Sequence, residues 1–241
     1  MSQSSLDRPK PGAPAARTAP PLTALLDVDN TLLDNDRAKA DLDRGLGALL
    51  GEAGRVRFWR LYEAIRRETG VVDIPLTLAR FDAEEPDAAR RAALADLFMR
   101  FPYRNYLYPG ALAAIAHLRR FGQVAILSDG DPIFQASKIW RAGLTTAVDG
   151  KVVVVDHKER RLAAVVAAYP AARYVLVDDK PVLLQAMAAA LPAPTMTVFV
   201  RQGHYAAAGP AGGWRPDVTI DAIDRLAAVD LTSPAGVPGA P

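Results

Sequence analysis

The sequence contains no cysteine among its 241 residues. Disulfide bonds, thiolate catalysis and thiolate metal sites are therefore excluded, and the redox compartment stays undetermined. No run of about 18 apolar residues occurs, so no segment is predicted to span a membrane. The chain has little excess of either charge, because 29 basic and 27 acidic residues leave a net charge of +2. It also contains no dense run of basic residues. Nucleic acid and anionic membranes are therefore not expected as partners.

Both ends of the chain are predicted to lie outside the folded core. Residues 1–21 are rich in Ser, Pro and Ala and lack the apolar centre of a secretory signal. We predict that 1–21 is a disordered N-terminal segment and that 227–241 is a flexible C-terminal tail. Cytoplasm is the default location for such a chain. Between the ends, the overall apolar content of 50% predicts a sizeable core in one or two domains.

An apolar run, Leu22 to Leu26, ends in the sequence Asp27-Val-Asp29-Asn-Thr31. Continuous apolar character is typical of a buried parallel strand, whose carboxyl end faces the ligand crevice of an open α/β sheet. Asp27 and Asp29 are two positions apart, so both side chains leave the backbone on the same side. Two such carboxylates repel each other unless a cation or a shared proton compensates them. The pair favours an oxygen-only Mg²⁺ site, and an ordinary polar turn is the alternative.

Strands alternate with helices from about residue 108 onward, which predicts right-handed βαβ units in a parallel sheet. The later strands are predicted at 123–127, 151–155, 174–177 and 195–200, with a candidate edge strand at 217–220. The helices between them are predicted at 111–120, 132–141, 159–168 and 181–190. Helical spacing of apolar residues instead fills 35–104. We therefore predict a core domain of 22–34 and 105–226 that is interrupted by a helical domain at 35–104.

The strand 123–127 runs into Ser128-Asp129-Gly130-Asp131-Pro132. This sequence offers a hydroxyl group and flexible backbone amides to an anion, just before a helix begins. Asp131 also suits a helix N-cap, since proline follows it. Ser128 taken alone is equally explained as a turn residue.

Three further polar positions follow later strands. Lys158 opens the predicted helix at 159–168, where it would meet a bound anion, and a solvated lysine is the alternative. Asp178 and Asp179 end the strand 174–177 as a second carboxylate pair, one of which also suits a helix cap. His204 follows the strand 195–200, and we interpret it as a loop residue rather than a catalytic one.

Taken in order, these residues read Asp-x-Asp-x-Thr, then Ser, then Lys, then Asp-Asp, each at a strand end or the start of the next helix. The set resembles the four motifs of the haloacid dehalogenase (HAD) superfamily over residues 22–226. The resemblance implies an α/β, Rossmann-like fold whose parallel sheet has the strand order 5-4-1-2-3 and is flanked by helices. It also implies that 35–104 is a helical cap domain of the C1 type, inserted after strand 1.

The resemblance implies a Mg²⁺-dependent hydrolase, a phosphatase of a small phosphorylated metabolite. In that reaction Asp27 would be the nucleophile that forms an aspartyl phosphate, and Asp29 would be the general acid and then the base. The phosphoryl group would be bound by Thr31, Ser128, Asp129 and Lys158.

The same resemblance implies where the metal would lie. Mg²⁺ would be held by Asp27, by Asp29 through its backbone carbonyl, and by the pair Asp178 and Asp179, with Asp179 the expected direct ligand. Many relatives place a further acidic residue a few positions later, but Pro-Val-Leu-Leu follows Lys180 here, so the adjacent pair must suffice.

The identity of the family lysine stays open at this point. Lys158 is not followed by proline, as it commonly is in relatives, which leaves Lys138 and Lys180 as alternatives. The distance of Lys158 from the acidic pair favours Lys158.

Several activities share this set of motifs. Asp29 argues against a dehalogenase, since dehalogenases of the superfamily need no leaving-group acid and typically lack that residue. A phosphomutase would share every core residue, and a non-catalytic binding domain would be expected to have lost Asp27 or Asp29. A phosphonate hydrolase would be expected to bring a lysine from the cap. The predicted cap has only Lys39, close to its junction with the core, which weakens that interpretation. The candidates for binding a second anionic group of the substrate are the cap residues Arg60, Arg66, Arg67 and Arg80. The oligomeric state is left open.

Overall fold

Six parallel strands form one sheet in the computed structural model, which describes residues 20–209 and 212–231. The strands are β1 Thr23–Leu26, β2 Gln123–Asp129, β3 Val152–Val155, β4 Tyr174–Asp178, β5 Thr195–Val200 and β6 Val218–Ile220. Their order across the sheet is β3-β2-β1-β4-β5-β6. The predicted order 5-4-1-2-3 is therefore confirmed, and β6 adds the candidate edge strand beside β5.

Helices cover both faces of the sheet, and a helical insert follows β1. The insert contains α1 Asn35–Thr69, α2 Ile74–Glu84 and α3 Ala88–Met99. The connections between later strands contain α4 Ala111–Leu118, α5 Pro132–Arg141, α6 Leu144–Ala147, α7 Leu162–Ala168 and α8 Pro181–Ala190. Asp131 caps α5, as its position before Pro132 predicts.

The buried position of β1 explains its mostly apolar sequence. Ala24 and Leu26 belong to the apolar cluster that includes the insert helices and α4, whereas Leu25 belongs to the opposite cluster with α7 and α8. Successive side chains of a strand point to opposite faces, so both faces of β1 need apolar residues. The polar residues that follow β1 are consequently held at a rigid, central strand end.

The insert has an aromatic centre. The Phe58 ring lies 5.2 Å from that of Phe98 and 5.9 Å from that of Phe81, which joins α1 to α3 and to α2. Gly51 divides α1 into two segments, because its φ of 67° and ψ of 176° are not helical. The two segments of α1 are thus able to pack against different neighbours.

The predicted helix at 159–168 is partly wrong. A 3₁₀ turn, Lys158–Arg160, is followed by the shorter helix α7. The backbone amide of Lys158 donates a hydrogen bond of 2.7 Å to Asp129, and its side chain reaches the end of β1. Lys158 therefore opens a separate 3₁₀ turn, and α7 begins at Leu162.

The ends of the chain are described only in part. Residues 1–19 of the predicted N-terminal segment and 232–241 of the predicted tail lie outside the described residues. At the start of the predicted tail, Leu231 is buried in the core and Val229 packs against it. Among the described residues, no helix is both long and apolar enough to cross a membrane.

Candidate active site

The ends of β1 and β4 bring the two acidic pairs together. These strands are hydrogen-bonded neighbours, and the amide of Asp27 donates to the Val177 carbonyl over 2.9 Å. The carboxyl ends of parallel strands meet at one edge of a sheet, where α/β folds bind ligands. Asp27, Asp178 and Asp179 are all buried there, and one carboxylate oxygen from each lies within 4.8 Å of the others.

Lys158 lies between two of these carboxylates. Its Nζ donates to Asp27 Oδ1 at 2.7 Å and to Asp178 Oδ2 at 2.5 Å, and its side chain is only 1% exposed. This contact supports Lys158 over Lys138 and Lys180 as the lysine of the site. The other oxygen of Asp27, Oδ2, accepts a hydrogen bond of 3.1 Å from the Thr31 hydroxyl.

Charge decides the protonation of Asp27. Burial alone would raise the pKa of Asp27, but the ammonium groups of Lys158 and Lys180 outweigh burial and lower it below its ordinary value. Burial alone would lower the pKa of Lys158, but the carboxylates of Asp178 and Asp27 raise it instead. Asp27 is therefore an anion and Lys158 a cation at neutral pH.

The environment of Asp179 raises its pKa, whereas that of Asp27 lowers it. Both of its carboxylate oxygens are buried without a hydrogen-bond partner among the described residues. Burial, together with the charges of Asp27 and Asp178, raises the pKa of Asp179 to about 9. A buried carboxylate without partners is costly, and a divalent cation would satisfy it. Oxygen donors from three carboxylates suit Mg²⁺, so the residues present fit this ion.

Asp29 lies outside that cluster. Its Oδ1 accepts a hydrogen bond from Lys138 Nζ, and its Oδ2 accepts one of 3.3 Å from Gln135 Nε2. The same Gln135 nitrogen donates to the Ser128 hydroxyl at 2.9 Å. The carboxylate of Asp29 therefore lies in the wall of the site, where it faces open space.

That space is a cavity of about 340 Å³ between the strand ends and the insert. Such a volume suits a small ligand. The wall on the sheet side includes Asp29, Asp129, Lys138 and Lys180. The wall on the insert side includes Lys39, Trp59, Tyr62, Arg66 and Phe98.

The predicted site residues occupy different parts of this arrangement. Thr31 and Ser128 are buried beside Asp27 and Gln135, respectively. The carboxylate of Asp129 accepts the hydrogen bond from the Lys158 amide, so only the backbone of this residue is available to an anion. Asp178 accepts a hydrogen bond of 2.8 Å from the Lys180 amide, whereas the Asp179 carboxylate has no hydrogen-bond partner within 20–209 and 212–231.

The four arginines predicted as candidates for binding a second anionic group of the substrate lie in different places. Arg66 lines the cavity, but Arg80 forms a 2.7 Å ion pair with Glu68 on the surface of the insert. Arg60 and Arg67 are exposed and do not line the cavity.

His204 also lines the cavity. Its Nδ1 lies 2.7 Å from Asp36 Oδ1, in a turn that follows Gly203. Gly203 has a φ of 65°, and a Cβ at this position would lie 2.4 Å from the Asn30 side chain, so only glycine lets the two loops approach.

Sequence analysis did not single out Gln135, and it considered Lys138 only as an alternative to Lys158 for the family lysine. Their spacing of three residues places them on one face of α5, immediately after β2. A polar pair on the otherwise apolar inner face of that helix was the available signal.

The parallel sheet, the buried carboxylate cluster at its central strand ends and the helical insert beside it define an α/β enzyme fold of the HAD type. The chain belongs to the haloacid dehalogenase-like hydrolase family, whose model matches residues 22–200. The resemblance stated from the four motifs is thereby confirmed at the level of the superfamily. No curated protein matches the sequence.

Solved structures agree with this assignment. The chain is 40% identical to a haloacid dehalogenase-like hydrolase from Burkholderia xenovorans, with a TM-score of 0.79, and the match covers 88% of this chain and 97% of that one. Two structures at 18% identity show the shared fold alone. The HAD-hydrolase YfnB from Bacillus subtilis, bound to magnesium, has a TM-score of 0.57 over 86% of this chain and 97% of its own. The L-2-haloacid dehalogenase from Xanthobacter autotrophicus has a TM-score of 0.54 over 86% and 96%.

Proposed function

We propose that this protein is a Mg²⁺-dependent phosphatase of small phosphate monoesters that acts through an aspartyl phosphate on Asp27. The observation that carries the proposal is the placement of Asp29, which faces the cavity two residues after a nucleophile that Lys158 keeps charged. The helices of 35–104 would be the cap of this site, with 22–34 and 105–226 as the core domain.

The first step would transfer the phosphoryl group to Asp27. One carboxylate oxygen of Asp27 forms the new bond to phosphorus while the bond to the substrate oxygen breaks. Asp29 donates a proton to that leaving oxygen. Lys158, Thr31 and Ser128 stabilise the charge on the other phosphoryl oxygens, since all three lie at the same strand ends.

The second step would return the enzyme to its starting state. Asp29 takes a proton from water, whose oxygen attacks phosphorus, and the bond to Asp27 breaks. Inorganic phosphate leaves, and the lysine again pairs with the carboxylate of Asp27.

Mg²⁺ would be held by Asp27, Asp178, Asp179 and the backbone carbonyl of Asp29. The unpartnered oxygens of Asp179 support its role as a direct ligand. When bound, the ion supplies positive charge that reduces the repulsion between the anionic nucleophile and an anionic substrate.

Asp29 distinguishes this proposal from halide release. A halide leaves carbon as a stable anion and needs no proton, whereas an alcohol leaves a phosphate ester far more readily when it is protonated. An acid at the cavity wall therefore favours an oxygen leaving group. Fold similarity to L-2-haloacid dehalogenases at under 20% identity does not favour either substrate.

The experiment is a substrate panel with Mg²⁺ or with chelator. It would contain sugar phosphates, nucleoside monophosphates, phosphorylated acids, p-nitrophenyl phosphate and L-2-chloropropionate. We expect phosphate release that requires Mg²⁺ and is absent from Asp27→Asn. Halide release, or silence across the panel from folded protein, would contradict the proposal.

A further inference from the structure

Helix α5 binds both oxygens of Asp29. Lys138 contacts one oxygen and Gln135 the other, and the side chain of Lys138 is only 5% exposed. A buried ammonium group is costly unless its charge is compensated, and Asp29 supplies that compensation here. Lys158, not Lys138, is the lysine that contacts Asp27.

Lys138 also contacts both segments that join the insert to the core. Its Nζ donates to Asn35 Oδ1 at 2.7 Å, and Asn35 is the first residue of α1. The same atom lies 5.6 Å from the ring centroid of Tyr103, which follows the last helix of the insert. One ammonium group therefore connects the proposed acid to the entry and the exit of the insert.

We propose that Lys138 is a positioning residue that fixes the Asp29 carboxylate. It also links the orientation of this carboxylate to the position of the helical insert on the core. The inference rests on the proposed phosphatase function. Lys138 acts on the reaction only through Asp29, so its loss matters where Asp29 is needed and nowhere else.

The test compares Lys138→Met with wild-type protein on two leaving groups. For an alkyl phosphate, we expect kcat to fall roughly 10-fold to 100-fold with little change in KM, because a misplaced acid is a poor proton donor. For p-nitrophenyl phosphate, whose leaving group needs little protonation, kcat should change less than about threefold. Lys138→Arg should recover part of the loss. Lys151→Met, at the opposite edge of the sheet, is the matched control.

A double-mutant cycle separates positioning from direct action on the substrate. Adding Lys138→Met to Asp29→Ala should change kcat less than about twofold. An additive loss, or an equal loss on both leaving groups, would overturn the inference. Wild-type protein that releases no phosphate would instead refute the proposed function. In that case the ¹⁵N signal of the Lys138 ammonium still tests the contact, because it should shift in Asp29→Ala and stay in place in Asp149→Asn.

A separate observation concerns the insert wall of the cavity. The Nζ of Lys39 lies 4.9 Å from the Trp59 ring and 5.0 Å from the Tyr62 ring. Asp43, one helical turn later, is already bound by Arg55 at 2.8 Å and by Trp59 at 2.6 Å. A cation over aromatic rings is oriented without being neutralised, so Lys39 keeps its charge available to a ligand.

We infer that this lysine binds a second anionic group on the substrate, at the end remote from the phosphoryl group. Arg66 lines the same wall and adds positive charge, since its own partner Glu63 is 3.8 Å away. The substrate class is therefore a phosphate monoester that also carries a carboxylate or a second phosphate. This inference also rests on the proposed function.

Matched substrates test it. Glycerol phosphate and phosphoglycerate differ by a carboxylate, and a sugar monophosphate and bisphosphate differ by a second phosphate. We expect a lower KM for the member of a pair that carries the additional carboxylate or phosphate. Lys39→Met should remove that difference, whereas the control Lys151→Met should keep it. Equal KM values within both pairs, or an equal effect of Lys39→Met on every substrate, would overturn the inference. Inactivity of the wild-type protein on all of them would refute the proposed function instead.

Discussion

The two walls of the cavity are held in place by different forces. At the strand ends, Asp27, Lys158 and Asp178 form a buried network of charges with contacts of 2.5 to 2.7 Å. In the insert, Phe58 and Phe98 form an apolar centre, and Phe98 also lines the cavity. Buried charges are tolerated only where partners are fixed, and the sheet provides that rigidity. We therefore expect chemistry to depend on the strand ends and substrate selection to depend on the insert.

The largest loss of activity is expected from Asp27→Asn, at the strand ends. The amide is nearly isosteric but is a far weaker nucleophile, so phosphate release should fall on the order of 10⁴-fold or more. Lys158 keeps its contact with Asp178, so the fold should persist. Turnover would be measured by phosphate release and folding by circular dichroism. Unchanged turnover would remove Asp27 as the nucleophile.

A smaller effect is expected at the cavity-facing carboxylate. Asp29→Ala should lower kcat roughly 10²-fold to 10⁴-fold on alkyl phosphates, because general acid catalysis supplies about that factor. Activated aryl phosphates should lose much less. The ratio of kcat for the two substrate types measures the effect, with Asp149→Asn as the exposed carboxylate control. Equal losses on both types would argue against Asp29 as the acid.

The packing of the insert is tested by Phe58→Ala. This side chain is fully buried, so we expect the free energy of unfolding to fall by about 3 to 5 kcal/mol. Val56→Ala, on the same helix but 41% exposed, is the control and should change little. Denaturant unfolding measures both variants. A loss below about 1 kcal/mol in Phe58→Ala would show that the aromatic centre does not hold the insert.

The smallest effect is expected from Asp179→Asn, which should stabilise the folded state of the metal-free protein. The folded pKa of about 9 lies above the ordinary value of 3.8, so metal-free wild-type protein loses stability as pH rises between these two values. The neutral amide avoids that loss, and the melting temperature at pH 8 should rise by a few degrees. With Mg²⁺ the order should reverse, because the variant lacks a ligand. A lower melting temperature in chelator would contradict this account.

Much of the fold follows from local patterns. The apolar run before Asp27 and the alternation after residue 108 suffice to predict a parallel sheet, because only strands that are buried on both faces need such sequences. The motifs then imply the strand order through their resemblance to a family. The first turn after β3 was mistaken for regular helix, since the pattern of apolar residues does not reveal that the Lys158 amide is drawn to Asp129.

The candidate site is likewise predictable from the sequence only in part. Asp27, Asp29, Ser128, Lys158 and Asp179 are visible as polar residues at strand ends, and their catalytic roles remain predictions. Lys138 is predicted only as an alternative to Lys158, because nothing local indicates that α5 directs it to Asp29 and Asn35. The lack of a hydrogen-bond partner for Asp179 in the described part of the chain is also not predictable from the sequence, since a partner can come from any element.

Periodicity and strand ends are local properties of the chain, so most elements and the polar residues that end them are predictable from short stretches of sequence. Which charges meet depends on the tertiary structure. Residues 29 and 138, or 27 and 158, are brought into contact by the order of strands in the sheet and the direction of each helix. Those arrangements depend on the burial of apolar faces across the whole core, which no short stretch of sequence encodes.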